Sequence, residues 1–233
     1  MTRHLIMDTE TIPDPDFPPP EEGKFPSAPE TKIITLGVLE MVDYRPVDLY
    51  VCGATEEASL RHWVSLLEER PRSVVTGWNI RTYDCPIIAA RAFKYGIPMP
   101  WWFGDKSARY RFSVEGSYDV MDYLSDFGAT RFAKMDSFAK LCGFPGKVGV
   151  DGSQVAGMHA AGRQAEIDDY CMMDCVQTAA IFLRTEFLRG MLAPISYESA
   201  AEALLSYIAG HPTLAPIHEK IDAPSFLSGS PGR

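Results

Sequence analysis

The stretch His4-Leu5-Ile6-Met7-Asp8-Thr9-Glu10 is an apolar run that ends in two carboxylates. The run predicts a buried strand, and successive side chains on a strand point to opposite faces. Asp8 and Glu10 are therefore expected on one face, about 7 Å apart along the backbone. Two like charges at this spacing repel each other unless a cation lies between them, and hard divalent cations prefer oxygen ligands. An ordinary strand end with two solvated acids is the alternative interpretation.

The composition is that of a soluble globular protein. Hydrophobic residues make up 46% and charged residues 23% of the 233 positions, which is ordinary for a folded domain. This length suits one large domain or a domain with a small appendage. We expect a domain over residues 1–210 and a tail over residues 211–233. The tail is expected to be partly disordered, because the chain from Asp222 onward is small, polar and rich in Gly, Ser and Pro.

Nothing in the sequence indicates export or membrane insertion. No apolar run approaches the ~20 residues that span a bilayer. The N-terminal residues lack a basic segment followed by an apolar one, so no signal peptide is expected. The 5 cysteines are an odd number and include no C-x-x-C pair. This pattern predicts reduced thiols in a cytoplasmic protein and argues against a structural zinc site.

The net charge limits how the chain can bind nucleic acid. A formal net charge of -9 counts against a large non-specific nucleic-acid surface, because phosphate binding normally relies on Lys and Arg. The charge does not exclude an enzyme that holds a few nucleotides through bound metal. A metal site built from carboxylates also makes the metal-free chain more acidic than the metal-loaded protein.

The order of apolar patterns predicts an α/β fold with a central mixed β-sheet flanked by α-helices. Strands are predicted at 4–10, 33–42, 47–51 and 73–78, with a hairpin turn at 44–46. Helices are predicted at 56–70, 84–95, 119–126, 134–142, 164–189 and 198–209. Three connections are predicted to be loops or irregular: a proline-rich segment that starts after Glu10 and includes 13–31, then 101–112 and 143–152.

The long predicted helix carries an aspartate within its apolar stripe. The stripe follows the i, i+3, i+4, i+7 pattern and consists of Ile167, Tyr170, Cys171, Asp174, Thr178, Ile181 and Phe182. A carboxylate on a core-facing stripe is costly unless a cation or several hydrogen-bond donors satisfy it. Asp174 is therefore predicted to be a metal ligand, with an aspartate that accepts backbone or arginine hydrogen bonds as the alternative. Tyr170 lies one turn earlier, so its hydroxyl can share the same site.

Three motifs in this order resemble the DEDD superfamily of 3'-5' exonucleases. The motifs are Asp8-Thr9-Glu10, then Gly77-Trp78-Asn79 through Tyr83-Asp84, then Tyr170-Cys171-Met172-Met173-Asp174. They correspond to D-x-E, to an asparagine four residues before an aromatic-Asp pair, and to Y-x-x-x-D. The chain is most similar to the tyrosine subtype and, within it, to the proofreading exonuclease domain of family B DNA polymerases. The resemblance covers residues 3–190 and implies a ribonuclease H-like fold.

The resemblance also implies a reaction and a role for each motif residue. Asp8 would bridge two divalent metal ions, Mg²⁺ or Mn²⁺, with Glu10 and Asp174 completing the first site and Asp84 holding the second. Two metal ions suit an in-line attack on a phosphodiester. Tyr170 would orient the attacking water, because an unperturbed tyrosine with a pKa near 10 is a poor general base. The products would be nucleoside 5'-monophosphates.

Contacts to the substrate are predicted less directly. The backbone of Thr9 lies between two ligands and could touch the terminal sugar. Asn79 could contact the substrate, although an amide that fixes the turn before Asp84 is an equal alternative. Tyr83 is expected to be a packing residue. One further group could stack and neutralise a single strand, although so many aromatics favour a core: Trp101, Trp102, Phe103, Lys106, Arg109, Tyr110, Arg111 and Phe112.

The sequence leaves three functional hypotheses. The first is a metal-dependent exonuclease that acts on the 3' end of single-stranded DNA, alone or with a separate polymerase or repair partner. The second keeps the chemistry but trims RNA, since sugar discrimination depends on contacts at the 2' position. The third is a non-catalytic module that binds nucleic acid or a protein partner, against which the complete set of four carboxylates and a tyrosine argues.

Overall fold

The computed structural model describes residues 1–149 and 151–228. The strands are β1 (Arg3–Pro13), β2 (Thr31–Val42), β3 (Arg45–Val51), β4 (Val74–Gly77) and β5 (Ser117–Asp119). They form a 5-stranded sheet in the order β3-β2-β1-β4-β5. The β3–β2 and β2–β1 pairs are antiparallel, whereas the β1–β4 and β4–β5 pairs are parallel. The predicted mixed sheet is confirmed.

Helices cover both faces of this sheet. They are α1 (Glu56–Glu69), α2 (Asp84–Tyr95), α3 (Pro100–Gly104), α4 (Lys106–Arg109), α5 (Val120–Leu124), α6 (Met135–Leu141), α7 (Val155–Ala160), α8 (Gln164–Leu188), α9 (Pro194–Gly210), α10 (Ala215–His218) and α11 (Ala223–Leu227). Short 3-10 helices lie at Ala28–Glu30, Gly152–Gln154 and Pro212–Leu214. Within the described ranges, no helix combines the length and the apolar character needed to cross a bilayer.

Alternation along β1 divides the core between the two faces of the sheet. Leu5 and Met7 pack in a cluster with α1 and α2, whereas Ile6 packs in a cluster with α8 and α9. Asp8 and Glu10 follow Ile6 at the same two-residue spacing. The face of β1 that carries both carboxylates is therefore the face that α8 covers.

The parallel strands bring three carboxylates to one edge of the sheet. β1 pairs with β4 and β4 with β5 in the same direction, so their carboxyl ends meet at that edge. Asp8 lies near the end of β1, Asp84 begins the helix after β4, and Asp119 ends β5. Gly77 ends β4 where a Cβ atom would lie 2.8 Å from the Met7 carbonyl oxygen, so this close approach requires glycine.

The main helices and strands agree with the sequence prediction, with shifts at their ends. Thr55 caps α1 by accepting a hydrogen bond from the Ala58 N–H, and Gly96 ends α2 in the left-handed region. β1 extends beyond Glu10 to Pro13, with an irregularity in its pairing after Glu10. The predicted loop therefore starts at residue 14.

The hairpin turn between β2 and β3 lies at Asp43 and Tyr44, and Arg45 already belongs to β3. The φ values of Asp43 and Tyr44 are 46° and 65°. Two-residue hairpin turns of type I′ need positive φ at both central residues. The predicted turn at 44–46 is therefore displaced by one residue.

The C-terminal segment differs from the prediction of disorder. Residues 223–227 form α11, and the Phe226 side chain is fully buried against Phe144 and Tyr197. Arg184 also donates hydrogen bonds of 2.9 Å to the backbone carbonyls of Ser225 and Phe226. Disorder from Asp222 is therefore wrong for residues 222–228, while residues 229–233 lie outside the described part. The division at residue 210 stays a prediction.

Candidate active site

The four carboxylates singled out in the sequence converge at the edge of the sheet. Asp8 and Glu10 come from β1, Asp84 from the first turn of α2, and Asp174 from the middle of α8. The negative charges of Glu10, Asp84 and Asp174 all act on Asp8. Segments up to 166 residues apart in sequence thus build one acidic cluster, and only 2% of Asp84 and 8% of Glu10 and of Asp174 is exposed.

Asp84 is fixed by the residue between the two carboxylates of β1. The Thr9 N–H and hydroxyl donate hydrogen bonds of 3.1 Å and 2.6 Å to Asp84 Oδ1. Next to them, the hydroxyls of Thr11 and Tyr83 form a hydrogen bond of 2.7 Å. The structure therefore uses Thr9 to orient Asp84, and the predicted contact of Thr9 with a substrate sugar stays a prediction.

Asp174 lies beside Tyr170 on the buried face of α8. Tyr170 lies one turn before Asp174 on α8, and Gln177 Nε2 donates a hydrogen bond of 3.3 Å to Asp174 Oδ1. Burial, followed by the nearby charges of Asp174 and Glu10, raises the pKa of Tyr170 above its usual value. The hydroxyl is therefore protonated at neutral pH, which agrees with the predicted orienting role.

The carboxylates of the cluster have no direct ion-pair partner in the described part of the chain. Within residues 1–149 and 151–228, no Lys or Arg forms an ion pair with any of the four. Burial and mutual repulsion raise the pKa of Glu10 to about 9 and that of Asp8 well above its usual range. Burial raises the pKa of Asp84 to about 7 and that of Asp174 to about 6. Proteins normally pair buried charges or use them to coordinate metals.

The donor set fits a divalent metal ion. Carboxylate oxygens are the ligands that hard cations prefer, and bound positive charge would offset the repulsion among the four groups. One ligand atom from each of Asp8, Glu10 and Cys171 lies within 4.8 Å of the other two. The Cys171 thiol contacts Asp8, with its sulfur 3.4 Å from the backbone oxygen and 3.6 Å from Oδ2.

A glycine-rich loop places Lys147 near the cluster. The positive charge of Lys147 acts on both Glu10 and Asp174 and lowers their pKa values. The Lys147 N–H donates a 2.9 Å hydrogen bond to Asp136 Oδ1, and its ammonium group pairs with Asp151 at 2.5 Å. At Gly146, which has a φ of 73°, a Cβ atom would collide with the Asp136 carboxylate. The predicted turn-rich connection thus carries a cation that the sequence analysis did not single out.

Asn79 shapes the loop that leads to Asp84. Its N–H and that of Arg81 donate 3.0 Å hydrogen bonds to the two oxygens of Asp119. Its side-chain oxygen accepts a hydrogen bond from the Thr82 hydroxyl. Asn79 also has a φ of 62°, a conformation that asparagine tolerates better than most residues. These contacts support the structural alternative for Asn79, and its contact with the substrate stays a prediction.

Sequence reasoning missed Asp119 because it placed this residue at the start of a helix. In the structure, Asp119 ends the three-residue strand β5, which is too short to show an alternating pattern. Its carboxylate accepts N–H groups from the loop after β4 and from Asp122. The available signal was an aspartate between Tyr118 and the apolar start of a predicted helix.

A family comparison agrees with the resemblance drawn from the three motifs. Residues 23–221 match the family described as a predicted 3'-5' exonuclease related to the exonuclease domain of PolB. The chain belongs to this family. The match contains the second and third motifs, whereas Asp8 and Glu10 precede it. The resemblance drawn from the three motifs is therefore confirmed at the level of the family.

A solved structure shows the same fold. The family B DNA polymerase from the hyperthermophilic archaeon Pyrobaculum calidifontis superposes with a TM-score of 0.59 at 18% sequence identity. The superposition covers 90% of this chain and 29% of the polymerase. At this identity the likeness establishes the fold alone, which is that of an exonuclease-like α/β domain. No curated protein matches the sequence.

Proposed function

We propose that this chain is a metal-dependent 3'-5' exonuclease that hydrolyses single-stranded DNA from its 3' end and releases nucleoside 5'-monophosphates. One observation carries the proposal. Asp8, Glu10, Asp84 and Asp174 meet in a mostly buried cluster without an ion-pair partner among the described residues, and Tyr170 lies one turn from Asp174 on α8. Membership of a family related to the exonuclease domain of PolB supports the same reaction.

The four carboxylates would hold two divalent metal ions, Mg²⁺ or Mn²⁺. When bound, such a pair lowers the pKa of water to give a nucleophile and stabilises negative charge on the leaving oxygen. The chain's own part is to fix the ligands, since Thr9 orients Asp84 and Gln177 donates to Asp174. Tyr170 keeps its proton at neutral pH and would orient the attacking water through its hydroxyl.

Thr9 and Asn79 complete the proposed substrate contacts. Thr9 lies between two of the ligands, so a nucleotide held by the metal ions would reach its backbone. Asn79 opens the loop that ends at Asp84 and would contact the terminal nucleotide from the other side. All 5 cysteines are buried free thiols, which supports a cytoplasmic location. The proposal also includes a separate polymerase or repair protein as a partner.

Digestion of a 5'-labelled single-stranded DNA oligonucleotide tests the reaction. The protein is incubated with Mn²⁺, Mg²⁺ or EDTA, alongside the variants Asp8→Ala and Asp48→Ala. Asp48 is an exposed carboxylate on β3 and serves as the matched control. We expect a ladder of shortened, 5'-labelled products that requires metal, disappears with Asp8→Ala and persists with Asp48→Ala.

Three results would overturn parts of the proposal. Full activity of the Asp8→Ala protein would show that the catalytic site is elsewhere. No shortening of DNA or of a matched RNA with either metal would favour the non-catalytic binding module. Shortening of RNA in preference to DNA would keep the chemistry and change the substrate.

A further inference from the structure

A second surface next to the site has the chemistry of a nucleic-acid contact. The segment 101–112 divides in the structure. Trp102 is buried and Trp101 partly buried in the core cluster under α2, whereas three later aromatic rings are exposed. We call the exposed group the aromatic-basic strip, which consists of Phe103, Lys106, Arg109, Tyr110, Phe112 and Phe132.

The rings of the strip are solvent-exposed, and two of them lie next to each other. Phe103, Tyr110 and Phe112 are 59%, 61% and 57% exposed, and Phe132 is 46% exposed. The Tyr110 and Phe112 ring centres lie 5.7 Å apart, and the Arg109 guanidinium lies 5.5 Å from the centre of the Phe103 ring. Exposed rings in such a group mark an interaction surface.

The segment that carries the strip is held rigidly against the sheet. The Ser117 hydroxyl donates a 2.7 Å hydrogen bond to the Ala108 carbonyl. A Cβ atom at Gly116 would lie 2.5 Å from the Ala108 nitrogen, so the two segments are in close contact. The exposed rings are therefore presented by a fixed backbone.

The strip is linked directly to the loop that carries Asp84. The Arg81 guanidinium donates a 2.7 Å hydrogen bond to the Tyr110 carbonyl, while the Arg81 N–H donates to Asp119. Arg81 belongs to the same loop as Asn79, between β4 and α2. The backbone at Tyr110 is therefore tied to the loop that leads to Asp84.

This region carries basic side chains that form no ion pair within the described ranges, although Asp105 lies on the same segment and Glu115 follows it. Among the described residues, none of Lys106, Arg109, Arg131 and Lys134 has a carboxylate within ion-pair distance. Four free cations in one region are notable in a chain with a net charge of -9. Their charge is complementary to phosphate, which favours a nucleic acid over an apolar protein partner.

We propose that the aromatic-basic strip binds the single strand on the 5' side of the nucleotides in the acidic cluster. Bases would stack on Tyr110 and Phe112, and phosphates would face Lys106 and Arg109, which is the combination that holds single strands without sequence preference. This inference rests on the proposed function and adds the path of the substrate beyond the cleaved end.

Binding without hydrolysis tests the strip separately from the reaction. The full chain in EDTA is titrated against 5'-fluorescein oligo(dT) of about 16 or about 4 nucleotides, and anisotropy is measured, with oligo(rU) as the RNA arm. The variants are Tyr110→Ala with Phe112→Ala, and Arg109→Gln. Their controls are Phe93→Ala, an 89% exposed ring on α2, and Arg61→Gln on α1.

We expect the double aromatic variant to bind the long oligonucleotide about a hundredfold more weakly, since each stacked ring contributes about tenfold. Arg109→Gln should reduce the magnitude of the negative slope of log K against log[salt] by about 1, where K is the association constant for DNA. The short oligonucleotide and both controls should be unchanged. In the cleavage assay, KM for the long substrate should rise while kcat stays the same.

Three outcomes would overturn the strip proposal. They are wild-type affinity in all strip variants, an equal loss for long and short oligonucleotides, or a change in oligomeric state on sedimentation without a change in DNA binding. Cleavage by a protein whose strip variants behave as wild type would leave the proposed function standing. Binding that depends on the strip, without any cleavage, would support the strip proposal and overturn the proposed function. Unchanged melting temperatures verify that the variants fold.

Discussion

Two buried groups of carboxylates in this molecule differ in one respect, which is whether a cation pairs with them. In the acidic cluster, Asp8 and its neighbours have no ion-pair partner among the described residues. On the opposite side of β1, Asp14 and Glu56 lie around Arg91, whose side chain is 1% exposed. Arg91 donates to Asp14 at 2.5 Å and to the two oxygens of Glu56 at 2.6 Å and 2.7 Å.

The pKa values differ in the same direction. Burial alone would raise the pKa of Asp14, but hydrogen bonds from the Asp16 N–H and from Arg91 and Lys94 lower it to about 2. Burial raises the pKa of Glu10 to about 9, because no comparable donors oppose it. Paired carboxylates thus hold the start of the proline-rich loop on α2, whereas unpaired ones form a site that favours a cation.

Replacement of a carboxylate in the acidic cluster should give the largest effect on activity. We expect Asp8→Asn to lower the rate of hydrolysis about 1,000-fold, since a metal ion contributes several kcal/mol to such a transition state. The metal-free Asp8→Asn protein should melt no lower than wild type, because the amide removes a repelling charge. Rates and melting temperatures in EDTA check this, and a marked fall in melting temperature would contradict the comparison.

Removal of the cation from the paired group should instead cost stability. Arg91→Met removes the buried guanidinium from both carboxylates and leaves Asp14 only the partly exposed Lys94 as a cation, so we expect the free energy of unfolding to fall by about 3–5 kcal/mol. Lys94→Met is the matched control, since Lys94 also pairs with Asp14 but its side chain is 38% exposed. It should cost less than about 1 kcal/mol. Urea unfolding measures both, and equal losses would refute the distinction.

Metal binding should stabilise the protein through the acidic cluster alone. Mn²⁺ at about 100 times its Kd should add about 2.7 kcal/mol to the free energy of unfolding. The gain should vanish in Asp174→Asn and persist in Asp14→Asn, whose side chain belongs to the paired group. Thermal unfolding with Mn²⁺ and with EDTA gives the comparison, and a similar gain in both variants would place the ions elsewhere.

The stability of the metal-free protein should also depend on pH. The folded pKa values of Glu10 and Asp84, about 9 and about 7, lie above those of unfolded chains. The folded state therefore binds protons more tightly than the unfolded chain, and the free energy of unfolding falls as the pH rises from about 4 to about 9. Unfolding in EDTA at several pH values should show this slope reduced in Glu10→Gln, and an unchanged slope would count against it.

Local patterns in the sequence predicted most of the fold. The spacing of apolar residues located β1, α1, α2 and α8. A helix longer than two turns, or a strand longer than four residues, repeats its pattern of apolar residues often enough to be recognised. The same reasoning failed for the three-residue strand β5 and for the short helices α3, α4 and α7, which carry too few residues to repeat a pattern. It failed for α11 because Phe226 is held by partners far away in sequence.

The sequence by itself determined which side chains carry the chemistry, since the carboxylate spacing on β1 and the aspartate within the apolar stripe of α8 are local features. Tertiary structure decided their environment. Whether a buried carboxylate meets a cation depends on which segments the sheet brings together, as with Arg91 and Asp14, which lie 77 residues apart. Long-range pairing is fixed by the summed free energy of packing, which no single stretch of sequence encodes.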